Sequence, residues 1–416
     1  MNKSVLVPTA SAALAGLLAS PAVFASGFAL PEVSAAGLGV SNAIVANPEE
    51  PGAFPYNPAA MGFHGRSSLA VGGILIAPEF SVRTASGRHD SEGASWIAAP
   101  MIQGALVLDE RWRLGLSVNA PFGLETRWAF GTFPTLTQIP PAIPGLDHPT
   151  QSKLEVIATS PSVTYRVSDA LSLAAGIDYY YAREATLDTH IIRLSGDGDA
   201  WGWNLSALFR HGPWSFGAAY RSEASVDVDG TLRVLAPIPG RPASEKASVD
   251  LDLPSRLQLG VRYAFSPDLA VELDWSRTGW SSFDRLVVKS SNGTEIKNDT
   301  NEWDDTNAYR LGLTYHLLPK TQLRAGYTYD ETGQGDAYFS GRVPDNDRHL
   351  FSLGVGQELA QGWSVDAGYM YVRFKDRRFR GDRPYVPGGE VNGTSALDGD
   401  YEGAAHLIGV ELRKTF

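Results

Sequence analysis

Cysteine is absent from all 416 residues, which excludes disulfides, thiolate metal sites and a cysteine nucleophile. After the N-terminus there is no run of the ~18 apolar residues that a membrane helix needs. Charged residues are scarce, at 19% of the chain against an ordinary ~25%. Cations are scarcer still: 35 Lys and Arg stand against 46 Asp and Glu, a balance of −11. That deficit disfavours a nucleic-acid partner, because the phosphate backbone is bound by positive charge. No GxSxG and no phosphate loop occurs. The eight His are scattered, without metal-ligand spacing, so neither an enzyme nor a cofactor or metal site is expected. Aspartates do cluster, at Asp197–Asp199 and Asp345–Asp347, and read as solvated loops.

What the chain has is glycine (43), aromatic residues (10%, with 10 Trp) and a strong period-2 alternation. Leu257, Leu259, Val261, Tyr263 and Phe265 alternate with Arg256, Gln258, Gly260 and Arg262. Tyr309, Leu311, Leu313, Tyr315 and Leu317 alternate with Arg310, Gly312, Thr314 and His316. Trp112–Val118 and Leu323–Asp330 repeat the pattern. Alternation means strands with one apolar face. A soluble sandwich and a membrane barrel both satisfy it, and two features favour the barrel.

Aromatic residues gather at strand ends, as girdles do at a bilayer interface: Trp112, Trp214 and Trp363 at one end, Tyr220, Trp280 and Tyr371 towards the other. Connections also alternate in length. Short ones fall at Leu108–Arg111, Val167–Ala170, His211–Pro213, Ser266–Leu269, Leu318–Lys320 and Leu359–Gly362. Long ones fall at Trp128–Thr150, Asp188–Gly198, Val234–Glu245, Ser291–Trp303, Gly333–Asp345 and Arg377–Tyr401. Short periplasmic turns and long outer loops produce this rhythm. The expectation is an all-β, transmembrane antiparallel β-barrel of about fourteen strands, embedded in outer-membrane lipid of a Gram-negative bacterium. The terminal Phe416 is suited to the barrel assembly machinery.

The domain plan follows. Residues 1–25 read as a signal peptide, with Lys3, an apolar stretch from Val5 to Leu18, and Val23-Phe24-Ala25 before Ser26. Its removal takes away one Lys and no acid, changing −11 to −12. Residues 26–65 are rich in Pro and Gly, which break strands and helices. They nevertheless contain Phe28, Leu30, Val33, Leu38, Ile44, Val45 and Phe54. Such a segment suits a plug, or hatch, inside the lumen. Residues 66–416 form the barrel.

Several short motifs, taken in order, resemble the FadL family of outer-membrane transporters for long-chain fatty acids and other hydrophobic compounds. They are Ser26-Gly27-Phe28, Ser34–Gly39, Asn57-Pro58-Ala59, Asn119–Thr126, Tyr181-Ala182-Arg183, Ala219–Glu223, Leu253-Pro254, Trp280-Ser281, Ala308-Tyr309-Arg310 and Val343–Arg348. The resemblance covers essentially the whole mature chain. It implies capture of a hydrophobic small molecule in an outer groove, passage to an interior pocket, plug movement and lateral exit through the wall. Phe28 would enter the pocket, and Arg183 would meet a ligand carboxylate. Lys297 is the nearest match to a family lysine, across an apparent insertion. Asn57-Pro58-Ala59 would sit against a kinked strand holding Pro121, Phe122 and Gly123, with Pro100 weakening the same seam. Proline cannot donate to a sheet ladder, which makes a wall opening there physically reasonable. Ile191, Ile192 and Leu194, with Leu235, Pro237, Ile238 and Pro239, would form the groove. The loop after the third strand is apolar as well (Trp128, Phe130, Phe133, Leu136, Ile139, Pro140, Pro141, Ile143, Pro144, Leu146), as a second binding surface or a lid. Long-chain fatty acid, taken up passively, is the first expected substrate, with neutral aromatic hydrocarbon or alkane as the alternative. A general porin is the rival, and needs neither an apolar plug nor a wall defect.

Overall fold

Backbone pairing passes from strand to strand around the whole wall and returns to its start. The computed structural model describes residues 27–137, 145–238 and 241–416. The expected signal peptide, Ser26, and the loop residues Ile139, Pro140, Pro141, Ile143, Pro144 and Pro239 lie outside the described residues. The wall strands are β1 (Ser68–Thr84), β2 (Ile97–Val107), β3 (Trp112–Arg127), β4 (Pro149–Arg166), β5 (Leu171–Thr189) and β6 (Ile192–His211). Four interrupted strands follow: β7 (Trp214–Arg221 and Ala224–Val234), β8 (Ser244–Leu253 and Arg256–Ala264), β9 (Leu269–Thr278 and Arg285–Ser290) and β10 (Glu295–Thr300 and Thr306–Leu318). The wall ends with β11 (Thr321–Asp330), β12 (Arg348–Glu358), β13 (Trp363–Phe374) and β14 (Gly399–Thr415). β14 closes on β1 from Ser68↔Thr415 to Arg83↔Asp400. The result is a closed antiparallel barrel of 14 strands. Arg66 bonds the Phe416 carbonyl at 3.1 Å, and the Phe416 amide bonds Ser67 O at 2.9 Å, tying both chain ends at the closure.

Alternation sorts the side chains. Leu69, Val71 and Leu75 of β1 are exposed while Ala70, Ile74 and Ile76 are buried. Trp112, Trp214 and Trp363 point outward near the short-turn end. Trp280 does not belong to the girdle: it is fully buried on a 3₁₀ turn inside the interruption of β9.

Two expected long loops are mostly strand. β5 and β6 are joined only through His190-Ile191. The glycines of the connection expected at Asp188–Gly198 are instead sites of close cross-strand packing. A Cβ on Gly196 would lie 2.4 Å from Asp229 O, and one on Gly198 would lie 2.1 Å from Asp227 O. The stretch after Ser290 likewise returns as Glu295–Thr300, paired with β9.

Residues 27–65 are buried almost throughout. They form α1 (Ala35–Gly39) and 3₁₀ turns at Pro51–Ala53 and Pro58–Phe63. Their polar contacts go round the wall: Val33 O accepts from Gln103 of β2 (3.3 Å), Pro58 O from Thr164 of β4 (2.9 Å), and Gly39 O from Ser352 of β12 (3.2 Å). The Ile44 and Val45 amides share Asp274 Oδ2 of β9 at 2.9 and 3.0 Å. Only a segment within the lumen can touch so many strands.

Candidate functional site: an apolar cavity beside a broken seam

β3 carries the decisive irregularity. Its pairing with β2 covers only Ile102↔Val118 to Val107↔Arg113. Above that point Pro100, which faces outward on β2, pairs with β1 at Gly73 but with nothing on β3. On the other side, β3 pairs with β4 and shifts register between Asn119 and Phe122. One extra residue on β3 is a bulge, and it reverses the facing of everything beyond it. Odd positions up to Asn119 are buried; afterwards Phe122 and Thr126 are.

The N-terminal segment takes the place of β2 here. The Leu30 amide donates to Pro121 O at 2.7 Å, and the Gly123 amide donates to Phe28 O at 3.0 Å, bridging Ala29 to Phe122. Gly123 admits this approach: a Cβ there would already press Leu30 Cδ1 at 3.0 Å.

The bridge directs Phe28 into an aromatic nest. Its ring lies 4.6 Å from Trp280, 5.3 Å from Phe283, 6.1 Å from Phe122 and 6.2 Å from Trp303, centroid to centroid. Trp280, Phe283 and Trp303 reach inward because β9 and β10 are interrupted at their positions. Next to Phe28 is a mostly apolar cavity of about 100 Å³ under the long loops, with walls from Leu124, Leu154, Val249 and Leu286. That volume approaches that of a ~150 Å³ cavity known to admit benzene. A longer ligand therefore needs the space Phe28 fills.

Of its polar lining, Arg342 stands out. Its Nη1 donates to Asp188 O (2.9 Å), Ser152 Oγ (3.0 Å) and Gln151 O (3.3 Å). Its Nε and Nη2 make no hydrogen bond, and no carboxylate lies within ion-pair distance among the described residues. Burial depresses its pKa, opposed by Asp299, Asp188 and Asp147. The site thus offers an uncommitted guanidinium edge. Composition and alternation did not single out Arg342, because it lies in a loop just before the Val343–Arg348 motif and outside any alternating strand.

The expected contacts divide. Phe28, Pro121, Phe122 and Gly123 meet at the bridge, with Pro100 across the gap. Arg183 does not join them. It is the bulge residue of β5, in the register shift between Ala182 and Ala185. Its side chain is 59% exposed on the outer face, paired with Glu155. Lys297 is tied to Asp299, which lines the cavity although Lys297 itself does not. Asn57-Pro58-Ala59 also departs from expectation. Asn57 Nδ2 bonds Ala207 O of β6 at 3.1 Å, the Ala59 amide bonds Ser206 Oγ of β6 at 3.1 Å, and Pro58 O accepts from β4. The motif packs low on β4 and β6 rather than on the kink, where Phe28–Leu30 sit instead. Ile191 and Leu235 are joined (Leu235 N to Ile191 O, 2.8 Å), Ile192 packs on the aromatic cluster, and Ile238 is half-exposed. None of these four lines the cavity.

Over the mouth, Trp128, Phe133 and Leu136 pack with Phe339, Phe379 and Leu397 from later connections and with Tyr401 of β14. His148 pins this cover. Its Nε2 accepts the Gly131 and Phe133 amides at 3.2 and 3.3 Å. Burial pushes its pKa down to about 4.

A closed barrel with its lumen occupied by its own N-terminal segment and a covered apolar cavity defines a class: the outer-membrane transporters of hydrophobic compounds. Comparisons with known proteins agree. Residues 16–416 match the family described as outer membrane protein transport protein (OMPP1/FadL/TodX). Outer membrane protein P1 of Haemophilus influenzae is 26% identical over 471 aligned positions, covering 97% of this chain and 98% of that one. A long-chain fatty acid transport protein of Escherichia coli O6:H1 is 24% identical, with both chains covered completely. Among solved structures, a Pseudomonas aeruginosa FadL homologue superposes with a TM-score of 0.78 at 20% identity, covering 94% of this chain and 99% of that one. The Ralstonia pickettii toluene transporter TbuX gives 0.67 at 18%, covering 90% and 98%. The chain belongs to the OMPP1/FadL/TodX family. It is an outer-membrane transport protein and not an enzyme.

Proposed function

We propose that the protein takes up long-chain monocarboxylates passively, by a closed-state cavity that opens sideways into the membrane. One observation carries the reading: the β2–β3 pairing is missing where Phe28–Leu30 bridges to β3, beside the cavity. Removing that bridge would expose the cavity to the gap between Pro100 and Pro121. Residues 26–65 then act as the plug, and Phe28 competes with the ligand for one space. Arg342 would take the carboxylate, since a guanidinium fork suits it.

A second reading, a neutral aromatic or alkane ligand, is favoured by a different observation. Arg183 and Lys297 are already paired with acids. A relative named as a long-chain fatty acid transport protein and a solved toluene transporter illustrate both chemistries. Uptake of labelled oleate and of toluene, by cells lacking their own transporters, separates the readings. Oleate uptake above the empty-vector control, with correctly assembled barrel, supports the carboxylate. Toluene uptake alone rejects it.

A further inference from the structure

Buried cations in the lumen are matched almost everywhere. Arg324 lies between Glu50 (2.6 Å) and Asp366 (2.7 Å). Arg262 takes Glu49 at 2.7 Å, Arg348 takes Asp330 at 2.9 Å, and Arg221 holds Asp178. The middle of β8 departs from this. Arg256 has neither an ion pair nor a hydrogen bond among the described residues, and its Nε is buried without a partner. Two residues along the same face, Gln258 is 6% exposed and its Nε2 is also unpartnered. Arg310 lies close enough to repel Arg256. It gives one N–H to Ser276 Oγ at 2.7 Å and leaves Nε unpartnered. Arg310 stands opposite Asp274 in the β9–β10 register, whereas Arg256 has only the longer-range attraction of Asp330 and Glu32, with no carboxylate in direct contact among the described residues.

An unpartnered buried donor costs about 1–3 kcal/mol, more when charged. Such groups in a native fold point to an absent acceptor, water or ion. Arg256 and Gln258 line one cavity, of about 60 Å³. Its other walls include Ala29, Leu30, Pro121 and Phe122. It therefore reaches the inner side of the bridge and the unpaired edge of β3. Phe28 belongs to the upper cavity; its two successors belong to this one.

We infer that Arg256 and Gln258, with Arg310 behind them, form a second anion subsite. It receives the carboxylate of an apolar acid between the upper cavity and the β2–β3 seam. This rests on the uptake reading above. A carboxylate has two acceptor oxygens, one for the Arg256 guanidinium and one for the Gln258 amide. Leu30, Val33, Phe122 and Tyr180 supply apolar wall for the start of the chain. A neutral ligand leaves these donors unused, so the subsite favours acids after capture.

The test compares dodecanoate with its neutral counterpart dodecanol. Uptake is measured in cells lacking their own transporter, with assembly checked by heat-modifiable gel mobility. Arg256→Met should slow dodecanoate about tenfold, the loss of one charge-assisted hydrogen bond, and leave dodecanol unchanged. Gln258→Leu should act in the same direction and serves if Arg256→Met does not assemble. Crystals of the wild-type protein grown with bromide should show an anomalous peak between Arg256 and Gln258. Equal slowing of both probes would mean a structural role and overturn the subsite. No slowing of dodecanoate would mean that water fills the place, and overturns it too. If wild-type protein moves neither probe, the uptake reading fails instead. The bromide peak then still decides: its presence upholds an anion subsite and its absence rejects one.

Discussion

In the proposed uptake route, Phe28 is the side chain that an entering ligand displaces. Four aromatic neighbours hold it, and each such contact is worth about 0.5–1.5 kcal/mol beyond area burial. A ligand that enters must replace those contacts. Phe28→Ala should therefore raise apparent affinity for an apolar probe about tenfold, because the competing conformer is weakened. Isothermal titration of the detergent-solubilised protein measures this, and weaker binding would instead make Phe28 part of the receptor surface. Arg342→Met should lower oleate binding about tenfold or more and spare toluene. Arg183→Ala should leave both unchanged, since an exposed ion pair contributes little. Loss of oleate uptake in Arg183→Ala with a normal barrel would return the carboxylate contact to that residue.

At the scale of elements, the β3 bulge and the Phe28–Leu30 bridge form the seam through which lateral exit is proposed. The chain lacks cysteine, so a pair introduced as Ala29→Cys and Phe122→Cys can be read cleanly. Oxidation should stop uptake, and reductant should restore it. Transport that continues through the cross-linked protein would rule out exit at this seam. The outer cover responds to pH through His148. Its pKa of about 4 in the folded loop lies below the free value of ~6.5. The unfolded loop thus binds the extra proton first. Stability from this residue is complete above ~6.5, falls as pH drops through that window, and is spent by about 4. Hydrogen exchange of residues 128–137 should accelerate between those values. His148→Gln should flatten the profile.

For the whole molecule, stability of the lumen rests on matched charges between the N-terminal segment and the wall. Arg324 is the clearest case, holding Glu50 of that segment and Asp366 of β13. Arg324→Met would leave two buried acids without their cation, a loss of about 3–5 kcal/mol. The expected outcome is steady single-channel conductance where the wild-type protein is closed, with the barrel still assembled. A wild-type protein that conducts steadily would instead be a porin.

Sequence alone determined the barrel, its strand number, its membrane setting and its family. The first three rest on alternation, loop rhythm and aromatic girdles, which are local properties repeated many times, and the family rests on short motifs that recur in order. It also named Phe28, Pro121, Phe122 and Gly123, which the fold brings together. Tertiary structure decided what depends on register. Arg183 follows Tyr181 on the outer face, where it pairs with Glu155, and glycine-paired ladders turned the supposed loop after Asp188 into strand. Interruptions of β9 and β10 moved Trp280 from the expected girdle into the aromatic nest around Phe28. Pairing across distant strands left Arg342 and Arg256 without an ion pair and Gln258 Nε2 without an acceptor among the described residues. Period 2 gives a side chain's facing only while the register is unbroken, and which charges meet is a property of the closed wall.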